Sequence, residues 1–218
     1  MEREPALDTP MTAEPWVPRA KKIETLAAAA TECRGCPLFL DTTQTVFGEG
    51  RRRADMILVG EQPGDVEDRR GHVFVGPAGA VLWKCLAEAG IERDRIYVTN
   101  AVKHFKHEDR GKRRIHKKPN AAEIDACHPW LAAELRVVDA PVVVAMGAVA
   151  ARSLTGKSLA IAANRERDLQ LDTDGREPRT LVVTYHPSAV LRADDRAAEI
   201  RAALVSDLRR ARELATRS

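Results

Sequence analysis

The chain has 218 residues, 44% of them hydrophobic, and no apolar run long enough to cross a bilayer, which excludes a disordered polypeptide and a membrane-spanning helix. Its net charge of +3 is modest but unevenly spread: eight Lys and Arg between Lys103 and Lys118 face only Glu108 and Asp109, so that stretch carries +6 and the remainder −3. Charge concentrated in this way on a loop fits phosphate contacts or, more blandly, a solvated surface.

Residues 1–18 are charged and proline-rich without an apolar segment, and predict a flexible tail ahead of a single domain over 19–218. A cytoplasmic location is the default for such a chain. Residues 20–30 predict a leading helix. The runs 55–60 ("DMILVG"), 95–102 ("RIYVTNAV"), 141–147 ("PVVVAMG") and 180–186 ("TLVVTYH") are β-branched-rich and nearly continuous, as in strands covered on both faces. Between them, 78–90, 120–138 (interrupted near Pro129) and 148–156 carry helical patterns, and 194–216 closes the chain as a long amphipathic helix. Alternating strands and helices predict a three-layer α/β/α sandwich around a four-stranded, mainly parallel sheet. Ligands of such sheets bind beyond the carboxyl ends of the strands. Here those ends carry "GEQPGD", "TNAVKH", "MGAVA" and "HPSA", three of them rich in groups able to do chemistry.

Four cysteines are present, and an intracellular chain makes disulfides unlikely. Cys33 and Cys36 in "CRGCP" form a Cys-x2-Cys hairpin suited to iron or zinc, and Cys127 is a third candidate ligand. Cys85 shares a helical face with Val81, Leu82 and Leu86 and reads as a buried thiol. His104 is then the candidate fourth ligand, with Cys85 as the alternative. The remaining puzzle is "GKRRIHKKPN" (111–120), where a single histidine, His116, sits among Arg113, Arg114, Lys117 and Lys118.

"CRGCPL", "GEQPGD", "HVFVGPAG", "YVTNAVK" and "HPSAVLR" occur in the order found in the uracil-DNA glycosylase superfamily, and from about residue 20 to 215 the chain resembles its iron–sulfur branch. His104 in "KHFK" stands where that branch usually has a cluster-ligating cysteine, which implies a [4Fe-4S] cluster on Cys33, Cys36, His104 and Cys127. That departure, the inserted "GKRRIHK" and "GEQPGD" together resemble the UdgX-type subgroup, which excises uracil and stays covalently attached to the DNA. The resemblance implies a monomer acting on uracil-containing DNA, single- or double-stranded, with no membrane partner. The flipped base would stack on Phe74 and be read by Asn100, with Gln62 and His186 also contacting it. His186 would stabilise the departing uracil anion, and Glu61, Gln62 and Asp65 would act at the sugar. Arg113, Arg114, Lys117, Lys118, Ser188 and Arg192 would contact the DNA backbone, and Leu191 would fill the vacated stack. His116 would attack C1′ as a nucleophile, oriented and deprotonated by Glu61. The rival expectations are a turning-over glycosylase with an inert His116, a non-catalytic iron–sulfur module that binds DNA, and a zinc-dependent hydrolase. The last is weakened by the lack of a close His/Asp ligand set in "GEQPGD" or "HPSA".

Overall fold

The β-branched runs form the centre of a sheet that is apolar on both faces. The computed structural model describes residues 11–172 and 177–217. The helices are α1 (Ile23–Ala30), α2 (Asp65–Arg70), α3 (Pro77–Glu88), α4 (Ala121–Val137), α5 (Ala148–Thr155), α6 (Ile161–Asn164), α7 (Pro187–Leu191) and α8 (Ala197–Arg217). The strands are β1 (Glu49–Gly50), β2 (Met56–Gly60), β3 (Ile96–Asn100), β4 (His107–Arg110), β5 (Arg113–His116), β6 (Val142–Met146), β7 (Leu169–Leu171) and β8 (Arg179–Thr184). The main sheet has the order β1-β3-β2-β6-β8-β7. Its four central strands are parallel, and β1 and β7 pair antiparallel at the edges. The expected α/β/α sandwich is present, but with six strands rather than four. The two edge strands are too short to leave a pattern in the sequence.

Two apolar clusters occupy the two faces of the sheet. Ile57, Val59, Tyr97, Val143, Ala145, Leu181 and Val183 pack on one side with α1, α4 and α5. Met56, Leu58, Ile96, Val98, Val142, Val144 and Val182 pack on the other with α3 and α8. This is period-2 alternation in strands covered on both sides. α4 begins at a capping box, in which the Asn120 side chain accepts from the Glu123 N–H and Glu123 accepts from the Asn120 N–H. It then runs unbroken through Pro129, where an interruption was expected. Burial of Ile124, Cys127, Trp130 and Leu131 on one face outweighs the hydrogen bond that proline cannot donate.

Two further expectations change. Residues 11–18 pack on the domain rather than trailing from it: Ala13 is buried and its N–H donates to the Ala126 carbonyl at 2.7 Å. Residues 1–10 lie outside the described residues. The basic loop is a β-hairpin, β4 paired with β5, turning at Gly111 with φ +61°. Glycine there meets the left-handed conformation that tight hairpin turns require.

Candidate active site

A cavity of about 760 Å³ opens at the carboxyl ends of the parallel strands, where the expected motifs converge. Glu61, Gln62, Asp65, Phe74, Asn100, His116, Lys118, His186, Ser188, Leu191 and Arg192 all line it. Gly60 ends β2 on its floor. A Cβ at that position would lie 2.3 Å from Asn100 Oδ1 and 2.7 Å from Phe74 Cζ. The cavity therefore needs glycine there to keep both side chains in place.

Two buried polar atoms of residues that line this space have no partner, Asn100 Oδ1 and His186 Nε2. Unpaired buried polar atoms are costly and are a mark of groups kept for a ligand. Asn100 sits at the end of β3 on a rigid support. Lys103, fully buried, donates through Nζ to the Asn100 carbonyl at 2.8 Å, to Thr99 Oγ1 at 2.7 Å and to the Glu134 carboxylate. Tyr97 and Thr99 hydroxyls donate to the same carboxylate. Nothing in the sequence marked this buried pair. Lys103 belonged to the basic run, and only the structure removes it from the surface.

The proton on His186 can be located from its neighbours. Its Nδ1 accepts from the Ser188 backbone N–H at 3.2 Å, so that nitrogen carries no hydrogen. The Ser188 hydroxyl lies 2.7 Å from the same atom, and Arg192 donates to that hydroxyl at 2.9 Å. Burial lowers the imidazole pKa to about 4, with the Glu61 charge opposing it. The ring is therefore neutral with its hydrogen on Nε2, the nitrogen left without a partner. Phe74 faces it at 6.1 Å between ring centroids, tilted by 35°.

At the rim, His116 Nε2 stands 3.4 Å from Glu61 Oε1. Burial works against the Glu61 carboxylate, but its hydrogen bond with His116 and the nearby Lys118 charge hold its pKa below the ordinary range. The hairpin that carries His116 is fastened at its base. Gln62 Nε2 donates to the Lys106 and Lys117 carbonyls at 3.2 and 3.0 Å, and its Oε1 accepts from the Lys106 N–H. The Gln62 amide, expected at the sugar and the base, thus spends both its donors and one acceptor site on the hairpin backbone.

Two more expectations are corrected by charge pairing. Arg114 turns inward and donates to Asp65, Asp68 and Thr43 Oγ1, so it anchors the hairpin instead of offering charge to a phosphate. Asp65 is in turn held by Arg69 and Arg114, which outweigh its burial and keep its pKa low, leaving it a poor proton acceptor. Lys117 pairs with Glu108. Among the described residues, Lys112, Arg113 and Lys118 have no ion-pair partner.

Cys33, Cys36 and Cys127 are buried in the cluster on one face of the sheet, and Cys85 lies in the cluster on the other. Burial pushes the Cys36 thiol up to about 11, with Cys33 adding to the shift, and Cys127 up to about 12, with Cys36 and Cys33 adding to it. Trp130 Nε1–H donates to Cys33 Sγ at 3.2 Å, and the Lys103 N–H approaches Cys127 Sγ at 3.3 Å. Buried thiols whose sulfurs accept from N–H groups are donors of the kind that can hold a metal centre as thiolates. His104 is buried and neutral, its pKa lowered to about 4 by burial, and its Nε2 is 3.0 Å from Thr45 Oγ1. Among the described residues, no group of three or more His, Cys, Asp or Glu side chains is arranged for a metal ion.

No helix among the described residues is long and apolar enough to cross a membrane. Residues 47–209 match the uracil DNA glycosylase superfamily. The chain is 33% identical over 195 residues to a Type-4 uracil-DNA glycosylase of Thermotoga maritima, covering 89% of this chain and 95% of that one. It is 33% identical over 168 residues to a Type-4 uracil-DNA glycosylase of Pyrobaculum aerophilum, covering 73% and 80% of the two chains. A third such enzyme, from Sulfurisphaera tokodaii, is 31% identical over 198 residues, covering 88% and 84%.

Proposed function

The chain belongs to the uracil DNA glycosylase superfamily, and we propose that it excises uracil from DNA and then captures the resulting sugar covalently through His116. The observation that carries this reading is the pair of unpartnered buried atoms, Asn100 Oδ1 and His186 Nε2, on residues lining one cavity whose rim holds His116 beside a charged Glu61.

An extruded uracil stacks on Phe74. The Asn100 amide matches its edge, Oδ1 accepting from N3–H and Nδ2 donating to O4, while cytosine presents the inverse pattern. His186 Nε2–H donates to O2. The N-glycosidic bond breaks with its electron pair going to uracil, so negative charge grows on O2 as the sugar becomes an oxocarbenium ion. The Glu61 carboxylate offsets the positive charge on the sugar. A ring nitrogen of His116 then gives its lone pair to C1′. The imidazolium so formed loses its remaining N–H proton to Glu61 or solvent, leaving an N-glycosidic link to the protein. The test is a uracil-containing oligonucleotide assayed for free uracil and for a heat-stable shifted band on a denaturing gel. Both are expected. Uracil without the band leaves the turning-over glycosylase, and neither product leaves a DNA-binding module.

Cys33, Cys36 and Cys127 with His104 are the residues that would hold a [4Fe-4S] cluster, and such a group supplies cross-linking of the N-terminal segment to β3 and α4 rather than a step of the reaction. Cys33→Ala should purify colourless and poorly folded. Cys85→Ala, altering a thiol on the opposite face of the sheet, should keep the brown colour. A bleached Cys85→Ala beside a brown His104→Ala would reverse the ligand assignment.

DNA affinity should depend strongly on salt through Arg113 and Lys118, with Ser188 and Arg192 adding backbone contacts. Each phosphate contact contributes roughly 0.7–0.9 to the log–log slope of affinity against salt. Replacing Arg113 and Lys118 together by alanine should lower the slope by about one to two units. An unchanged slope places the phosphate contacts elsewhere.

A further inference from the structure

Phe74 is unusual in its backbone. It has φ +52°, a left-handed conformation that a bulky residue adopts only when its surroundings impose it. The imposition can be traced. Trp83, six residues into α3, sends its indole Nε1–H back to the Phe74 carbonyl at 2.9 Å. That bond fixes the peptide plane after Phe74 and so sets the backbone rotation that aims its ring. Gly79 allows the close approach, since a Cβ there would come within 1.9 Å of the same carbonyl oxygen. The indole is itself held from its far side, with the Arg93 guanidinium over its face at 4.1 Å. Glu67 secures the other end of the segment, accepting from the Gly76 N–H at 2.8 Å. Trp83 is not among the residues that line the cavity.

We infer that Trp83 is a positioning residue that holds Phe74 in its left-handed conformation and so presents the ring as the stacking surface for the extruded base. The inference rests on the proposed reading of Phe74. The relevant state is the one in which the base is seated and the bond is breaking. A ring displaced by rotation of its own backbone no longer lies flat beneath a base whose edge is fixed by Asn100 and His186. Loss of the indole hydrogen bond should therefore slow excision while leaving reversible DNA binding through the charged rim largely unaffected.

The test is single-turnover uracil excision, with protein in excess and varied in concentration, so that maximal rate and half-saturating concentration are read separately. Trp83→Phe removes the N–H and keeps an aromatic face for Arg93. Its maximal rate should fall about five- to tenfold, as expected for one lost hydrogen bond, and its half-saturating concentration should shift by less than about twofold. In a Phe74→Leu background, which has no stacking ring to aim, the same change should alter the rate by less than about twofold. Replacing Trp83 with 3-benzothienylalanine, which exchanges the N–H for sulfur in the same shape, should reproduce the Trp83→Phe result and serves if that variant folds poorly. An unchanged rate in either replacement overturns the inference, and so does an equal loss with and without the Phe74 ring. Unaltered protein that releases no uracil removes the reading of the site itself and this inference with it.

Discussion

His116→Ser should release uracil at close to the rate of the unaltered protein, leave an ordinary abasic site, turn over, and give no shifted band on a denaturing gel. The separation follows from geometry. The groups proposed to act in breaking the glycosidic bond, Asn100 and His186, line the cavity at the ends of β3 and β8, whereas His116 stands at its rim on a separate hairpin. Removing the nucleophile leaves the stacking surface, the uracil-edge contacts and the anion donor untouched, and water takes the place of imidazole at C1′.

Glu61→Gln is the complementary change. Glutamine can still meet the His116 ring but cannot take its proton or carry the charge that faces the sugar. Capture should slow by about 10²–10⁴-fold, the range of a lost general base, and excision should slow as well because one carboxylate serves both steps. Mass spectrometry of the digested adduct identifies the attachment. DNA mass on the peptide containing His116 is the expected result. Mass on a lysine peptide, or an adduct seen only after borohydride, would assign the chemistry to a Schiff base from Lys117 or Lys118.

The site was more legible in the sequence than the hairpin that carries His116. Continuous β-branched runs marked four parallel strands, and ligands of such sheets gather at their carboxyl ends, so Glu61, Asn100 and His186 were brought together by topology alone. The hairpin was not legible because β4 and β5 are almost wholly charged, with Ile115 their one apolar residue, and hydrophobic alternation is the usual sign of a strand. The cost was a misplaced Arg114. In a strand, residues two apart share a face, so Arg114 and His116 point the same way, one to Asp65 and Asp68 and the other to Glu61, while Arg113 points outward. Gly111 was the available signal for the turn. The commitment of the Gln62 amide to the Lys106 and Lys117 backbone left no trace in the sequence, because it depends on where the hairpin lands.

His186→Ala should cost excision about 10²–10³-fold, the loss typical of one donor aimed at developing negative charge. It should cost the covalent band equally, since no oxocarbenium ion forms for His116 to attack. That shared loss distinguishes it from His116→Ser, which loses only the band. The pH dependence tests the same assignment. A neutral ring with a pKa lowered to about 4 keeps its Nε2–H at every pH from about 5 upward, so the excision profile of the unaltered protein should show no inflection from this group in that range. Stability moves with the opposite emphasis. The unfolded chain takes up a proton on this ring near the ordinary value of 6.5, while the folded chain resists until about 4. The unfolded state therefore binds more protons between those limits, and folding stability attributable to His186 is present above about 6.5 and declines as pH falls through that window. Urea unfolding at pH 7 and at pH 5 should thus show a larger loss of stability on acidification for the unaltered protein than for His186→Ala. An equal loss in the two proteins would mean that the folded ring is protonated as readily as the unfolded one, and the donor would then be an imidazolium rather than the neutral N–H that Ser188 holds in place.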